Sequence, residues 1–124
     1  MLSDIMTTDV FTIAGDASIV DVARAMDARR LGSALVMNGS WLGGIVTERD
    51  VLRAVASGQD LNEARVRDWM TKDPVTASPD TTTDEAAATM LSSGFRHLPV
   101  AQGADVLGVV SLRDVLSARI RRRA

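Results

Sequence analysis

Residues Gly44-Ile45-Val46-Thr47-Glu48-Arg49-Asp50-Val51-Leu52 return sixty-four positions later as Gly108-Val109-Val110-Ser111-Leu112-Arg113-Asp114-Val115-Leu116. Each copy opens on a glycine and a short β-branched run. A hydroxyl residue follows, then two residues, an aspartate and the apolar start of a helix. The copies belong to a longer match. Residues 2–60 laid on 66–124 without gaps share seventeen identities in fifty-nine positions. They include Asp4/Asp68, Met6/Met70, Thr7/Thr71, Thr12/Thr76, Met26/Met90 and Gly44/Gly108. An end-to-end internal repeat constrains the fold more than any composition value does. It predicts two like units, residues 1–60 and 61–124, with the boundary in the polar stretch 58–65.

The periodicities give each unit the order β-α-β-β-α. Phe11-Thr12-Ile13 reads as a short strand and residues 14–18 as a turn carrying helix-capping side chains. Ile19, Val22, Ala23 and Met26 follow i, i+3, i+4, i+7 spacing, the inner face of a helix running to about Arg30 and punctuated by Gly32. Residues 33–37 and 41–46 form an antiparallel hairpin across Asn38-Gly39. Thr47 opens a helix that is expected to turn Val51, Leu52 and Val55 inward and to stop at Gly58. In the second copy, Val75-Thr76-Ala77 is the first strand, and residues 81–93 are a helix with Ala86, Ala87, Met90 and Leu91 inside. Gly94 ends that helix, residues 97–101 and 106–110 form the hairpin, and Ser111 starts the last helix. Met6 reads as the anchor of an irregular first segment, and Trp41 and Trp69 read as packing residues. The class is therefore mixed α/β (α+β). Each unit leaves an apolar sheet face, so two units are expected to pack sheet to sheet about a pseudo-twofold axis, with related clefts between them.

Composition excludes several functions. The chain of 124 residues has no cysteine, so disulfides, thiolate metal sites and cysteine nucleophiles are ruled out, and a reducing cytoplasm is the expected location. No apolar run reaches membrane-spanning length, and the N-terminus lacks the basic and apolar regions of a signal peptide. A net charge of −2 supplies no field for nucleic acid. The one basic run, Arg119 with Arg121 to Arg123, suits a helix C-terminus. His97 is the single histidine and has no companion at ligand spacing, so no metal site is expected. No catalytic set is visible: Asp50 and Asp114 lie on separate junctions, each beside its own hydroxyl, which fits two binding sites better than one active site.

Each junction admits two physical readings that share the same atoms. Ser/Thr-x-x-Asp is a capping pattern, in which the hydroxyl and the carboxylate satisfy first-turn amides. The same helix start, with its positive dipole end, can hold an anion. Thr47 or Ser111 would add a hydrogen bond there, Arg49 or Arg113 could reach a phosphate, and Asp50 or Asp114 could accept both hydroxyls of a ribose.

These residues resemble a known family. Two β-α-β-β-α copies, each with Gly-apolar-apolar-Ser/Thr-x-x-Asp, look like a tandem pair of CBS domains, the Bateman module. Asp4-Ile5-Met6-Thr7 and Asp68-Trp69-Met70-Thr71 resemble the family's lead-in, and Asp73-Pro74-Val75-Thr76 its first strand. Gly94-Phe95-Arg96-His97-Leu98-Pro99-Val100 resembles its second strand region. The resemblance implies a regulatory module, not an enzyme, that binds AMP, ADP, ATP or S-adenosylmethionine in the clefts between repeats. It implies that Asp50 and Asp114 hold ribose hydroxyls and that Thr47 and Ser111 lie by ribose and phosphate. It further implies that adenine meets the backbone around Thr12 and Thr76. Arg96 and His97, in the strand region that includes Pro99, are its phosphate candidates; Arg29 and Arg30 stand near the corresponding place in the first copy. It also implies a homodimer acting on an unknown effector protein. The alternative is a structural dimerisation module whose clefts are vestigial. Gly32-Ser33 stands where the second copy has Arg96-His97, so the two sites are expected to differ.

Overall fold

The structure, a computed structural model, describes residues 1–123 and the side chains through Arg121. Ala124 and the side chains of Arg122 and Arg123, part of the basic run, lie outside the described residues. The fold is mixed α+β, and it packs as two units whose borders depart from the sequence repeat. One unit is Phe11–Pro74 and contains Asp50; the other joins Met1–Val10 to the chain from Val75 on and contains Asp114. Each repeat thus lends its opening segment, residues 1–10 or 61–74, to the unit built mainly by the other repeat.

The Asp50 unit begins with β1 (Thr12–Ile13), α1 (Ile19–Arg29), β2 (Ser33–Asn38), β3 (Trp41–Thr47) and α2 (Glu48–Ala56). A short α3 (Val66–Trp69) and β4 (Thr71–Lys72) complete it. Its four-stranded sheet has the order β1-β2-β3-β4, with β1 parallel to β2 and the other pairs antiparallel. Ser18 caps α1 by accepting from the Asp21 amide at 3.0 Å. Ile19, Val22 and Met26 of α1 are buried against Ala34, Val36 and Val46 of the hairpin, together with Ala54, Ala64 and Val66. Removing these side chains from water is the main stabilising term of the unit.

The Asp114 unit contains α4 (Thr83–Ser93), β5 (His97–Gln102), β6 (Asp105–Ser111) and α5 (Leu112–Arg123). Its core is Leu2, Ala86, Met90, Leu98, Val100, Val110 and Val115. Leu2, fully buried, anchors the N-terminal segment; Met6 is only half-buried. The backbone of that segment donates to the other half of its unit, from Leu2 to Thr81 O at 2.9 Å and from Ser3 to Pro79 O at 3.0 Å. Thr7 and Val109 exchange a pair of bonds at 2.9 and 3.0 Å. This pairing is the counterpart of β4 on β3.

The segment exchange explains the glycines that open the repeated motif. A Cβ on Gly44 would stand 2.5 Å from Met70 Sδ and 2.8 Å from Thr71 O. On Gly108 it would stand 2.7 Å from Thr7 O and 2.9 Å from Met6 Sδ. In both units a Met-Thr pair lies directly over the glycine, leaving no room for a side chain.

Several expectations are corrected. Val75-Thr76-Ala77 is not a strand; one parallel bridge, Ala77 to Val100, remains. The reason is Pro99. Leu35 donates its amide to Phe11 O at 3.0 Å in the other unit, and Pro99, at the equivalent position, has no N–H to donate to Val75. Helix α1 ends not through Gly32 but through Arg30, which takes the left-handed conformation (φ 55°) that Gly94 takes at the equivalent place (φ 78°). Leu52 is 67% exposed and Val55 and Leu91 are also exposed, because α2 buries Asp50 and Ala54, and α4 buries Thr83, Ala86 and Met90. Trp41 is an exposed residue at the end of its hairpin, whereas Trp69 packs on the core. The hairpin loops are Gly39-Ser40 and Gly103-Ala104, one residue beyond the expected places.

Candidate functional site

Both strand-to-helix junctions adopt the geometry that the Ser/Thr-x-x-Asp spacing implies. At the first, Thr47 leaves β3 in extended conformation and becomes the N-cap of α2. The Thr47 amide donates to Asp50 Oδ2 at 2.9 Å, and the Asp50 amide donates to Thr47 Oγ1 at 3.4 Å. The Thr47 hydroxyl also lies 3.2 Å from Asp50 Oδ2 as a donor. At the second, the Ser111 amide donates to Asp114 Oδ2 at 2.9 Å and the Asp114 amide to Ser111 Oγ at 3.0 Å. Both are reciprocal capping boxes, so the capping reading holds at both places.

The first amide of each helix is used as well. Glu48 donates to Gly32 O at 3.1 Å and Leu112 to Arg96 O at 2.8 Å. The residue before the second strand of each repeat thus closes the junction through its carbonyl. That places Arg96 at the Ser111–Asp114 junction, and its side chain is exposed. His97 stands opposite Ser111 in the β5–β6 ladder, as Ser33 stands opposite Thr47 in the other unit. Arg96, His97, Ser111 and Asp114 are therefore brought together within one unit. Pro99 is buried opposite Val109, and its carbonyl accepts from Ala77 at 3.0 Å. Its place is structural. Thr12 is exposed on β1 in register with Leu35, and Thr76 is exposed beside the Ala77 bridge. Arg49 and Arg113 are exposed on the first turns, and among the described residues neither forms an ion pair. Arg29 stacks its guanidinium 4.5 Å from the centre of the Phe11 ring.

The two carboxylates differ in what surrounds them. Asp50 is 6% exposed, and its Oδ1 accepts from Arg53 Nη1 at 3.3 Å. The Arg53 guanidinium also lies 5.6 Å from the centre of the Trp69 ring. Asp114 is half-buried, and among the described residues no cation pairs with it. The repeat partners of Arg53 and Trp69 are Ser117 and Ile5, which offer neither a charge nor a ring. Arg53 was not apparent as a site residue from the motif itself. Its signal was the acid–base spacing of three residues from Asp50 and the mismatch with Ser117.

Among the described residues no group of three or more His, Asp or Glu is arranged to hold a metal ion, and no helix is long and apolar enough to cross a membrane.

The CBS domain pattern matches the chain twice, over residues 2–57 and 66–121. The chain belongs to the CBS-domain family. A 17.7 kDa uncharacterised protein of Acidianus ambivalens is 38% identical over 119 residues, which cover 94% of this chain and 71% of that protein. Other curated relatives are longer, and this CBS pair spans 20–60% of their length. Two ligand-bound structures share the fold at lower identity. The CBS pair of protein MJ0100, solved with 5′-methylthioadenosine and S-adenosyl-L-methionine, is 23% identical, with a TM-score of 0.88 over 100% of this chain and 98% of that one. CBSX2, solved with AMP, is 21% identical, with a TM-score of 0.82 over 99% and 98%.

Proposed function

We propose that this CBS pair is a regulatory module that binds an adenosine-containing ligand, AMP, ADP, ATP or S-adenosylmethionine, through the carboxylate of a strand-to-helix junction. The observation that carries the reading is the Ser111–Asp114 junction. Asp114 uses Oδ2 to hold the Ser111 amide, and among the described residues no cation forms an ion pair with it. An ionised carboxylate is an acceptor only, with lone pairs on both oxygens. The remaining oxygen suits the vicinal hydroxyls of a ribose, which are donors, and such charge-assisted bonds are strong ones. Arg96 and Arg113, both exposed, stand on the same unit for a phosphate. In this reading Ser111 lies beside the ribose, and adenine lies along the backbone near Thr76; Thr12 would take that part at the other junction. MJ0100 and CBSX2 support the ligand class through the molecules they carry.

A bound ligand changes the output only if it favours one arrangement of the pair over another. The output passes to an unidentified effector protein. The pair acts as a homodimer in this reading, in which the exposed Leu52 and Val55 on α2 and Leu116 and Ile120 on α5 offer apolar surface. The same surface favours the second reading, an interaction module without ligand.

Calorimetry with AMP, ATP and S-adenosylmethionine separates the two. The proposal expects at least one to bind and the Asp114→Ala variant to lose about tenfold or more in affinity, the scale of one or two charge-assisted hydrogen bonds. If none of the three binds, the interaction module is the better account.

A further inference from the structure

The first junction is built like the second and yet its carboxylate is already engaged. Asp50 Oδ2 accepts from the Thr47 amide at 2.9 Å and is within 3.2 Å of the Thr47 hydroxyl. Its Oδ1 accepts from Arg53 at 3.3 Å. Both oxygens therefore have partners from the protein, and the residue is 6% exposed. Arg53 reaches this position across one helical turn, and Trp69 provides a ring face for the guanidinium, 5.6 Å away. Trp69 is itself seated against the core of its unit. None of this is repeated beside Asp114, where Ser117 and Ile5 occupy the equivalent positions.

A guanidinium and a ribose diol both approach a carboxylate as donors, so they compete for the same lone pairs. We infer that Arg53 is a specificity-determining residue: held over Trp69, it occupies Oδ1 of Asp50, withholds the first junction from the ribose diol and directs an adenosine ligand to Asp114. The inference rests on the ribose-binding reading of the junctions. It adds that the two sites are graded by one side chain supplied by the chain itself. Arg53 is 58% exposed, so its ion pair is screened by water and acts as a modest latch, not an absolute block. An ion pair of this kind together with a ring contact corresponds to a preference of about tenfold.

The test is AMP calorimetry in an Asp114→Ala background, where only the first junction can answer. Two further changes are compared there. Arg53→Ser installs the residue that the other unit carries, and Arg53→Gln keeps much of the stem on Trp69 but removes the charge. Far-UV circular dichroism and urea unfolding confirm that each variant is folded; because Arg53 is half exposed, at least the glutamine variant is expected to match its parent. The inference expects both double variants to bind AMP about tenfold more tightly than Asp114→Ala alone, and Asp50→Ala to abolish the gain. If wild type binds AMP through Asp114 and neither Arg53 change improves binding in the Asp114→Ala background, the latch is wrong while the ribose reading stands. If wild type takes up two AMP per chain with equal affinity, the latch is wrong as well. If wild type and all the variants bind no adenosine ligand, the ribose reading falls and the inference falls with it.

Discussion

Asp50 and Asp114 occupy the same position in the same motif, cap the same turn with the same 2.9 Å bond, and differ in what stands beside them. Asp50 is buried and clasped by Arg53; Asp114 is half-buried with no cation paired to it among the described residues. The comparison separates two tasks that one carboxylate can perform. Holding the first turn of a helix needs only Oδ2 and a backbone amide, and both residues do that. In the proposed reading a ligand needs the other oxygen, which at Asp50 is taken by Arg53 and at Asp114 has no cation paired to it among the described residues. The repeated motif therefore caps the helix in both units, and in the proposed reading the exchanges outside the motif, Arg53 against Ser117 and Trp69 against Ile5, set the two junctions apart as ligand sites.

The scaffold shared by the junctions can be broken first. Gly44→Ala and Gly108→Ala each place a methyl group within 3 Å of a backbone carbonyl, Thr71 O or Thr7 O, which cannot give way as a side chain can. Each is expected to cost about 2–3 kcal/mol, the upper part of the range for overpacked cores, in urea unfolding. Similar losses in the two variants would show that the Met-Thr segments support both junctions alike. A loss confined to Gly44→Ala would show that Met1–Val10 is dispensable to its unit.

The caps give a smaller effect and a sharper contrast. Asp114→Ala removes one reciprocal capping pair and is expected to cost about 1 kcal/mol. Asp50→Ala removes a comparable pair, leaves Arg53 without its partner and empties a buried position, for a loss of about 2 kcal/mol. Urea unfolding of the two variants checks the order. Equal losses would mean that the Arg53 clasp adds nothing to the folded state, which would weaken the contrast between the junctions.

Much of this arrangement was legible in the chain. The sixty-four-residue offset located both junctions, and the hydroxyl and aspartate three residues apart specified their hydrogen bonds. Gly39 and Gly103 marked the hairpins, and the Ile19-Val22-Met26 spacing marked the buried face of α1. Other features were hidden for identifiable reasons. Aligning a repeat shows which residues correspond and not which copy they pack against, so the exchange of Met6 and Met70 between units could not be read from it. Helical periodicity assigned Leu52 and Val55 inward because they are apolar, whereas a capping carboxylate, Asp50, takes part of the inner face of α2. Pro99 was visible, but its effect on the first strand depends on knowing that the Leu35 amide pairs with Phe11. The Arg53 clasp needs Trp69, sixteen residues away, to be folded back onto α2, which no local pattern announces.

The central claim, that two junctions of one design do unequal work, is tested most directly by a crystal structure of the wild-type protein grown with AMP at a concentration near the Kd measured by calorimetry. The account predicts a ribose with its hydroxyls on the Asp114 carboxylate, and Asp50 still paired with Arg53. A ribose on Asp50 with Arg53 displaced, and none on Asp114, would contradict it.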